Sequence, residues 1–251
     1  MKIPAKLLSL MGGASLLLAT GCQKDTPAPA IPVVTGPITG YAQADDENGA
    51  PIDRSGISVT VDNASPKLTA TTDAAGKFAF DNVPAGTYNL TFARTGLGTF
   101  RRLSVAHLGG PNPTFLPNVS LSQVSGTVVT ALTSATPAAN GNLLLQTSAT
   151  NANPANQLRV AVFVAPAAGV TAATGTLLGV YAVTTTAAGT QGIAVRTADL
   201  RSAGIAAGAT VYAVAYGAPV TNPGYVDPAT GRTTYANLNL TASPALSFVA
   251  P

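Results

Sequence analysis

Tryptophan is absent from this chain of 251 residues, and cysteine, histidine and glutamate occur once each, as Cys22, His107 and Glu47. Without tryptophan the strongest stacking platform for a sugar ring is missing, and only tyrosine remains for that task. With one histidine, any His-dependent nucleophilic or metal site has to be built around His107. Ser104 lies three positions upstream and Asp81 elsewhere in the same half, yet no Gly-x-Ser-x-Gly motif accompanies them. His107 therefore reads as a loop residue at a strand end, and no catalytic residue, cofactor or enzymatic activity is assigned. Charge is scarce too, at 9% of residues, and the formal net charge is +3. Lys2 and Lys6 fall in a leader segment, and no basic cluster larger than Arg101-Arg102 remains, which excludes the electrostatic footprint of nucleic-acid binding.

Threonine, alanine, valine, glycine and proline dominate instead, a composition that favours strands and turns over solvent-facing helices and points to an all-β chain. In Lys77-Phe-Ala-Phe-Asp81 and Thr87-Tyr-Asn-Leu-Thr-Phe92 the large apolar residues recur every second position, the period of a strand with one buried face. Asn82-Val-Pro-Ala-Gly86 between them predicts a short turn that leaves the two strands as neighbours. Asp73-Ala-Ala-Gly76 predicts another turn, with Lys67 to Thr72 as the strand before it. The run Thr-Asp-x-x-Gly-x-Phe-x-Phe-x-Asn-Val-Pro-x-Gly-Thr-Tyr-x-Leu resembles the carboxypeptidase regulatory-like family, a small prealbumin-like (transthyretin-like) β-sandwich. The resemblance takes in Ile38-Thr-Gly-Tyr41, Gly49-Ala-Pro-Ile52 and Ile57-Ser-Val-Thr-Val61. It implies a non-catalytic module at the front of an exported protein.

The longest apolar run, Leu7 to Leu18, is too short to span a bilayer and follows Lys2 and Lys6, as in a secretory leader. It ends in Leu18-Ala-Thr-Gly-Cys22, which resembles a bacterial lipobox, so Cys22 is the expected lipidation site and residues 1–21 the expected signal peptide. Acyl chains add about 0.8 kcal/mol per buried methylene, enough in combination for a durable membrane tether. Gln23-Lys24-Asp25 is similar to the short charged export signal of Bacteroidota surface lipoproteins. Residues 22–36, with Thr26-Pro-Ala-Pro-Ala-Ile-Pro32, read as an extended spacer. The expected location is the outer membrane, with cell-surface exposure open.

Residues 37–122 are expected to form the first sandwich and 123–251 a second, which resembles, more diffusely, immunoglobulin-like or fibronectin-like modules. Its strand candidates start at Ser125 to Leu132 and recur through Leu143 to Ala149, Leu158 to Ala165 and Thr210 to Tyr216, with Ala198 to Gly204 as one short helix. Tyr225-Val-Asp-Pro-Ala-Thr-Gly-Arg-Thr-Thr-Tyr235 predicts a hairpin, and Tyr225, Arg232 and Tyr235 are candidates for an interaction surface. Asp45, Asp46, Glu47 and Asp53 form the densest acidic cluster and are the candidate Ca²⁺ ligands. They lack the regular Asp-x-Asp-x-Asp-Gly spacing, so the segment reads as a hydrated loop. The expected role is a tethered, non-catalytic binding or structural lipoprotein that contacts another envelope protein or a glycan. An accessory glycan-binding lipoprotein of a polysaccharide-utilisation system, or a fimbrial subunit, are the alternatives.

Overall fold

Alternation of apolar and polar residues becomes strand after strand, and the turns fall where Asp, Asn, Pro and Gly interrupt the alternation. The computed structural model describes residues 33–137, 142–183 and 191–251. The first half contains β1 (Thr35–Asp45), β2 (Ser58–Val61), β3 (Leu68–Thr71), β4 (Lys77–Pro84), β5 (Gly86–Ala93), β6 (Phe100–His107) and β7 (Thr114–Ser122). They make a three-stranded sheet, β4-β1-β7, facing a four-stranded sheet, β3-β2-β5-β6. Ile38, Val59, Phe78, Leu90, Phe92 and Leu121 fill the space between the sheets, each at most 2% exposed. The Asp73 turn forms as its sequence predicts. Its Oδ1 accepts from the Ala75 and Lys77 N–H groups at 2.9 Å, and Gly76 takes φ +79 with no room for a Cβ beside the Ala42 carbonyl.

One expectation is corrected. β4 and β5 are not neighbours in a sheet: β4 pairs with β1, whereas β5 pairs with β2 and β6. The Asn82–Gly86 segment is a corner and not a hairpin loop: Asn82 takes φ +55 at a break in the β1–β4 register, and the fully buried Val83 keeps pairing with β1 beyond it. Ala85 alone then separates the two strands, and the Tyr88 hydroxyl closes the corner by donating to the Pro84 carbonyl at 2.8 Å. Crossing between sheets turns both apolar faces into one core, where the Phe78 and Phe92 rings meet edge to face at 5.5 Å.

The second half holds β8 (Val128–Pro137), β9 (Leu143–Thr150), β10 (Leu158–Ala165), β11 (Thr176–Val183), β12 (Gln191–Val195), α1 (Thr197–Ser202), β13 (Thr210–Gly217), β14 (Tyr225–Asp227), β15 (Arg232–Thr234) and β16 (Leu246–Val249). Sheet β11-β10-β13-β16 packs on sheet β12-β9-β8 around Leu145, Val160, Val162, Val195 and Val211. The short helix α1 carries the chain from one sheet to the other, and Gly204 at φ +79 ends it. β10 is apolar at nearly every position because both of its faces are covered. On its far side Phe163, Val170, Val214 and Leu238 form a further cluster beneath the β14–β15 hairpin, joined by Tyr216 and Tyr235. The chain is thus all-β, built as β-sandwiches, and Val33–Pro251 forms one compact unit.

β8 begins at Val128, three residues later than the pattern suggests. Ser125 and Thr127 are drawn out of the ladder by a carboxylate from the first half, described next.

Candidate functional site

Glu47 follows β1 in a tight turn that Asp46 organises, its Oδ1 accepting from the Asn48 N–H at 2.9 Å and the Ala50 N–H at 2.8 Å. That turn aims the Glu47 side chain into the second half, where the residue is only 3% exposed. Its Oε1 accepts from the Ser125 hydroxyl at 2.5 Å, the Thr127 N–H at 3.2 Å and the Thr127 hydroxyl at 3.1 Å. Its Oε2 accepts from the side-chain amides of Asn151 at 3.0 Å and Asn156 at 2.6 Å. Burial pushes the Glu47 carboxyl upward, but the hydroxyl, amide and backbone donors of Ser125, Asn151 and the Gly126–Thr127 segment outweigh it and hold it below its ordinary value. Asn48 extends the contact, donating to Asn156 Oδ1 at 3.2 Å and accepting from the Gln157 N–H at 2.9 Å. The Glu47 carbonyl also accepts from the Val220 N–H at 2.9 Å.

The reading of this segment as a hydrated loop is therefore overturned at Glu47. A carboxylate can leave water where several donors replace it, and here the donors come from about 80 to 110 residues away along the chain. The four candidate Ca²⁺ ligands do not converge. Asp45 accepts from the Ser120 hydroxyl at 2.8 Å, Asp46 caps its own turn, Glu47 points into the second half, and Asp53 accepts from the N–H and hydroxyl of Ser55 at 3.0 and 2.8 Å. Among the described residues no three His, Cys, Asp or Glu side chains are placed to hold a metal ion.

His107 ends β6, but it is 1% exposed rather than on a loop. Its Nε2 lies 3.0 Å from the Val83 carbonyl, which only accepts, so Nε2 carries the proton. Its Nδ1 lies 2.7 Å from the Thr114 hydroxyl. The imidazole thus ties the corner after β4 to the start of β7. Ser104, on the same strand, has φ +56 at a bulge in the β5–β6 pairing.

The hairpin forms as predicted, with Tyr225 opposite Thr234 and Gly231 at φ +66. Of its three candidate residues, Arg232 and Tyr235 line one pocket and Tyr225 faces another. Tyr235 packs on Phe163 at 6.0 Å, and Arg232 bonds the Gly175 carbonyl beside a surface pocket of about 260 Å³. Tyr225 instead meets Phe100 edge to face at 6.1 Å, across an open cleft of about 470 Å³ between β6 and β14. Arg102 lines that cleft, and in the sequence it stands only as half of the basic pair Arg101-Arg102. Nothing in its local pattern reveals it, because the opposing wall is more than a hundred residues away. Asn151 and Asn156 were missed for the same reason. Cys22 and most of the spacer lie outside the described residues.

Residues 38–122 match the sequence profile of the family described as carboxypeptidase regulatory-like domain. No curated protein matches the chain. Among solved structures the chain is similar to a type II cohesin–X-dockerin complex from Acetivibrio cellulolyticus, at 18% identity over 35% of this chain, with a TM-score of 0.29; only 58% of that chain is spanned. A candidate carbohydrate-binding protein from Bacteroides uniformis is similar at 13% identity over 86% of this chain and 99% of that one, with a TM-score of 0.31. A DUF3823 family protein from Parabacteroides merdae is similar at 10% identity over 85% and 99%, with a TM-score of 0.28.

Proposed function

We propose that the chain is a non-catalytic interaction module of the cell envelope, exported by its leader and held to the outer membrane by acylation of Cys22. The observation that carries the non-catalytic part is the fate of the scarce acid–base side chains. Glu47 is spent between the two halves, and His107 is enclosed between Val83 and Thr114. Neither faces a cleft where a substrate's proton could be taken or given. The tether rests on the lipobox-like Leu18-Ala-Thr-Gly-Cys22 and the proline-rich residues after it.

Two measurements test the two parts. Mass spectrometry of the mature chain, with fractionation of wild type beside Cys22→Ser, should find diacylglycerol on Cys22 and should move the variant from the membrane to the soluble fraction. Incubation of the purified chain with envelope polysaccharides and peptides should give capture without products. Turnover abolished by neutralising Asp45, Asp46 and Glu47, with folding retained, would replace this reading with an enzymatic one.

A further inference from the structure

We infer that the cleft between β6 and β14 binds an acidic glycan, with the Arg102 guanidinium receiving a uronic-acid carboxylate. This rests on the chain being a binding module and adds the chemistry of what it binds. In the β5–β6 ladder Arg102 stands opposite the core residue Leu90, and Arg101 stands opposite Thr91. Cross-strand partners share a face, so the two arginines leave the strand on opposite sides. Arg101 is neutralised at 3.2 Å by Asp62, which also accepts from the Thr91 hydroxyl at 2.7 Å. Among the described residues Arg102 has no such partner, and its Nε is shielded from solvent and bonds none of them. The terminal nitrogens of the same guanidinium are not shielded and have no carboxylate beside them, so a carboxylate entering the cleft would be received there.

The rest of the wall selects the kind of carboxylate. Arg101, already paired with Asp62, shares the lining, and Phe100, Leu103, Tyr225, Val226 and Pro228 make the rest of it carbon surface, with Val226 55% exposed. Rings and a proline make a stiff wall, which suits the C–H face of a pyranose better than a mobile peptide side chain. A uronic sugar presents that face and one carboxylate on the same rigid ring, matching one unpaired guanidinium beside one apolar wall. A neutral sugar would leave the guanidinium without a counter-charge. The cleft takes Phe100 and Arg102 from the first half and Tyr225, Val226 and Pro228 from the second, so it exists only while both are in place.

Isothermal titration of the mature chain carrying Cys22→Ser, against oligogalacturonate, oligoglucuronate and oligomannuronate, tests the inference. The fully methyl-esterified oligogalacturonate and polyglutamate serve as comparison probes. Saturable binding of at least one oligouronate is expected, lost on esterification and weakening as salt rises. Arg102→Gln should weaken it roughly tenfold or more. Val226→Glu, at an exposed position that leaves the core alone, should abolish it by placing a carboxylate in the cleft. Arg201→Gln, exposed on α1 and no part of this wall, should leave it unchanged. Absence of binding, equal binding of the ester, binding of polyglutamate in its place, or indifference to Val226→Glu overturns the inference. Each of these would leave the non-catalytic reading standing, whereas shortened oligosaccharides in the titration cell would overturn that reading instead.

Discussion

A single glutamate in a chain with so few charges has to be either on the surface or very well received, and Glu47 is the second. Replacing it tests how well. Glu47→Ala takes the carboxylate from the Ser125, Thr127, Asn151 and Asn156 donors, of which the Asn151 amide and the Thr127 N–H keep one neutral acceptor each, and a loss of roughly 3 kcal/mol in denaturant unfolding is expected, since bonds to a charged group contribute about 1.5–3 kcal/mol each. The pH dependence follows from the direction of its shift. A carboxyl held below its ordinary value of 4.5 contributes fully above that value and loses the contribution as pH falls through the lower folded one. Glu47→Gln mimics the protonated form, so the Tm gap between wild type and this variant should be widest near neutrality and should narrow below about pH 4.5. At another buried polar residue, His107→Ala strands the Val83 carbonyl and should cost about 1–3 kcal/mol, read in the same unfolding assay. The sequence offered no warning of either burial. Asp45-Asp-Glu47 looks solvated because its neighbours are polar, and what removes Glu47 from water lies far along the chain.

Strands and turns were legible wherever their causes are local. The Phe78 and Phe80 alternation, the Asp73 to Gly76 turn and the Gly231 hairpin each depend on a few adjacent residues, and each formed where the pattern placed it. The destination of a strand is another matter. Nothing between Asn82 and Gly86 states that the next strand joins the opposite sheet, because that choice is made by pairing with β1 on one side and β2 on the other. β13 gives a test at this scale. Gly217 ends it, and a Cβ there would lie 1.8 Å from the Thr127 carbonyl oxygen. Gly217→Ala must therefore push β13 away from the segment that bonds Glu47. A destabilisation of about 1–3 kcal/mol is expected from the overpacking, with faster amide exchange at Thr127 as its local signature.

For the molecule as a whole, the apolar clusters stay within one half or the other, while polar contacts and the Phe100–Tyr225 ring pair join them. Besides the side chains of Glu47 and Asn48, the Gly96 carbonyl accepts from the Val124 N–H at 3.0 Å and the Glu47 carbonyl from the Val220 N–H at 2.9 Å. Such a junction should make unfolding cooperative across both sandwiches. Scanning calorimetry is expected to give a single transition for the wild type and two for Glu47→Ala, and a single unshifted peak in the variant would show that the junction does not couple them.

The donors to Glu47 all belong to the second sandwich, and that restricts how this chain can be rearranged. A first sandwich transplanted in front of a different partner would bring a carboxylate shaped for sockets that are no longer there. The second, moved alone, would keep hydroxyls and amides directed at an empty place. The two are therefore not interchangeable cassettes, and a viable chimera has to carry Glu47 together with Ser125, Thr127, Asn151 and Asn156, or replace all five with carbon.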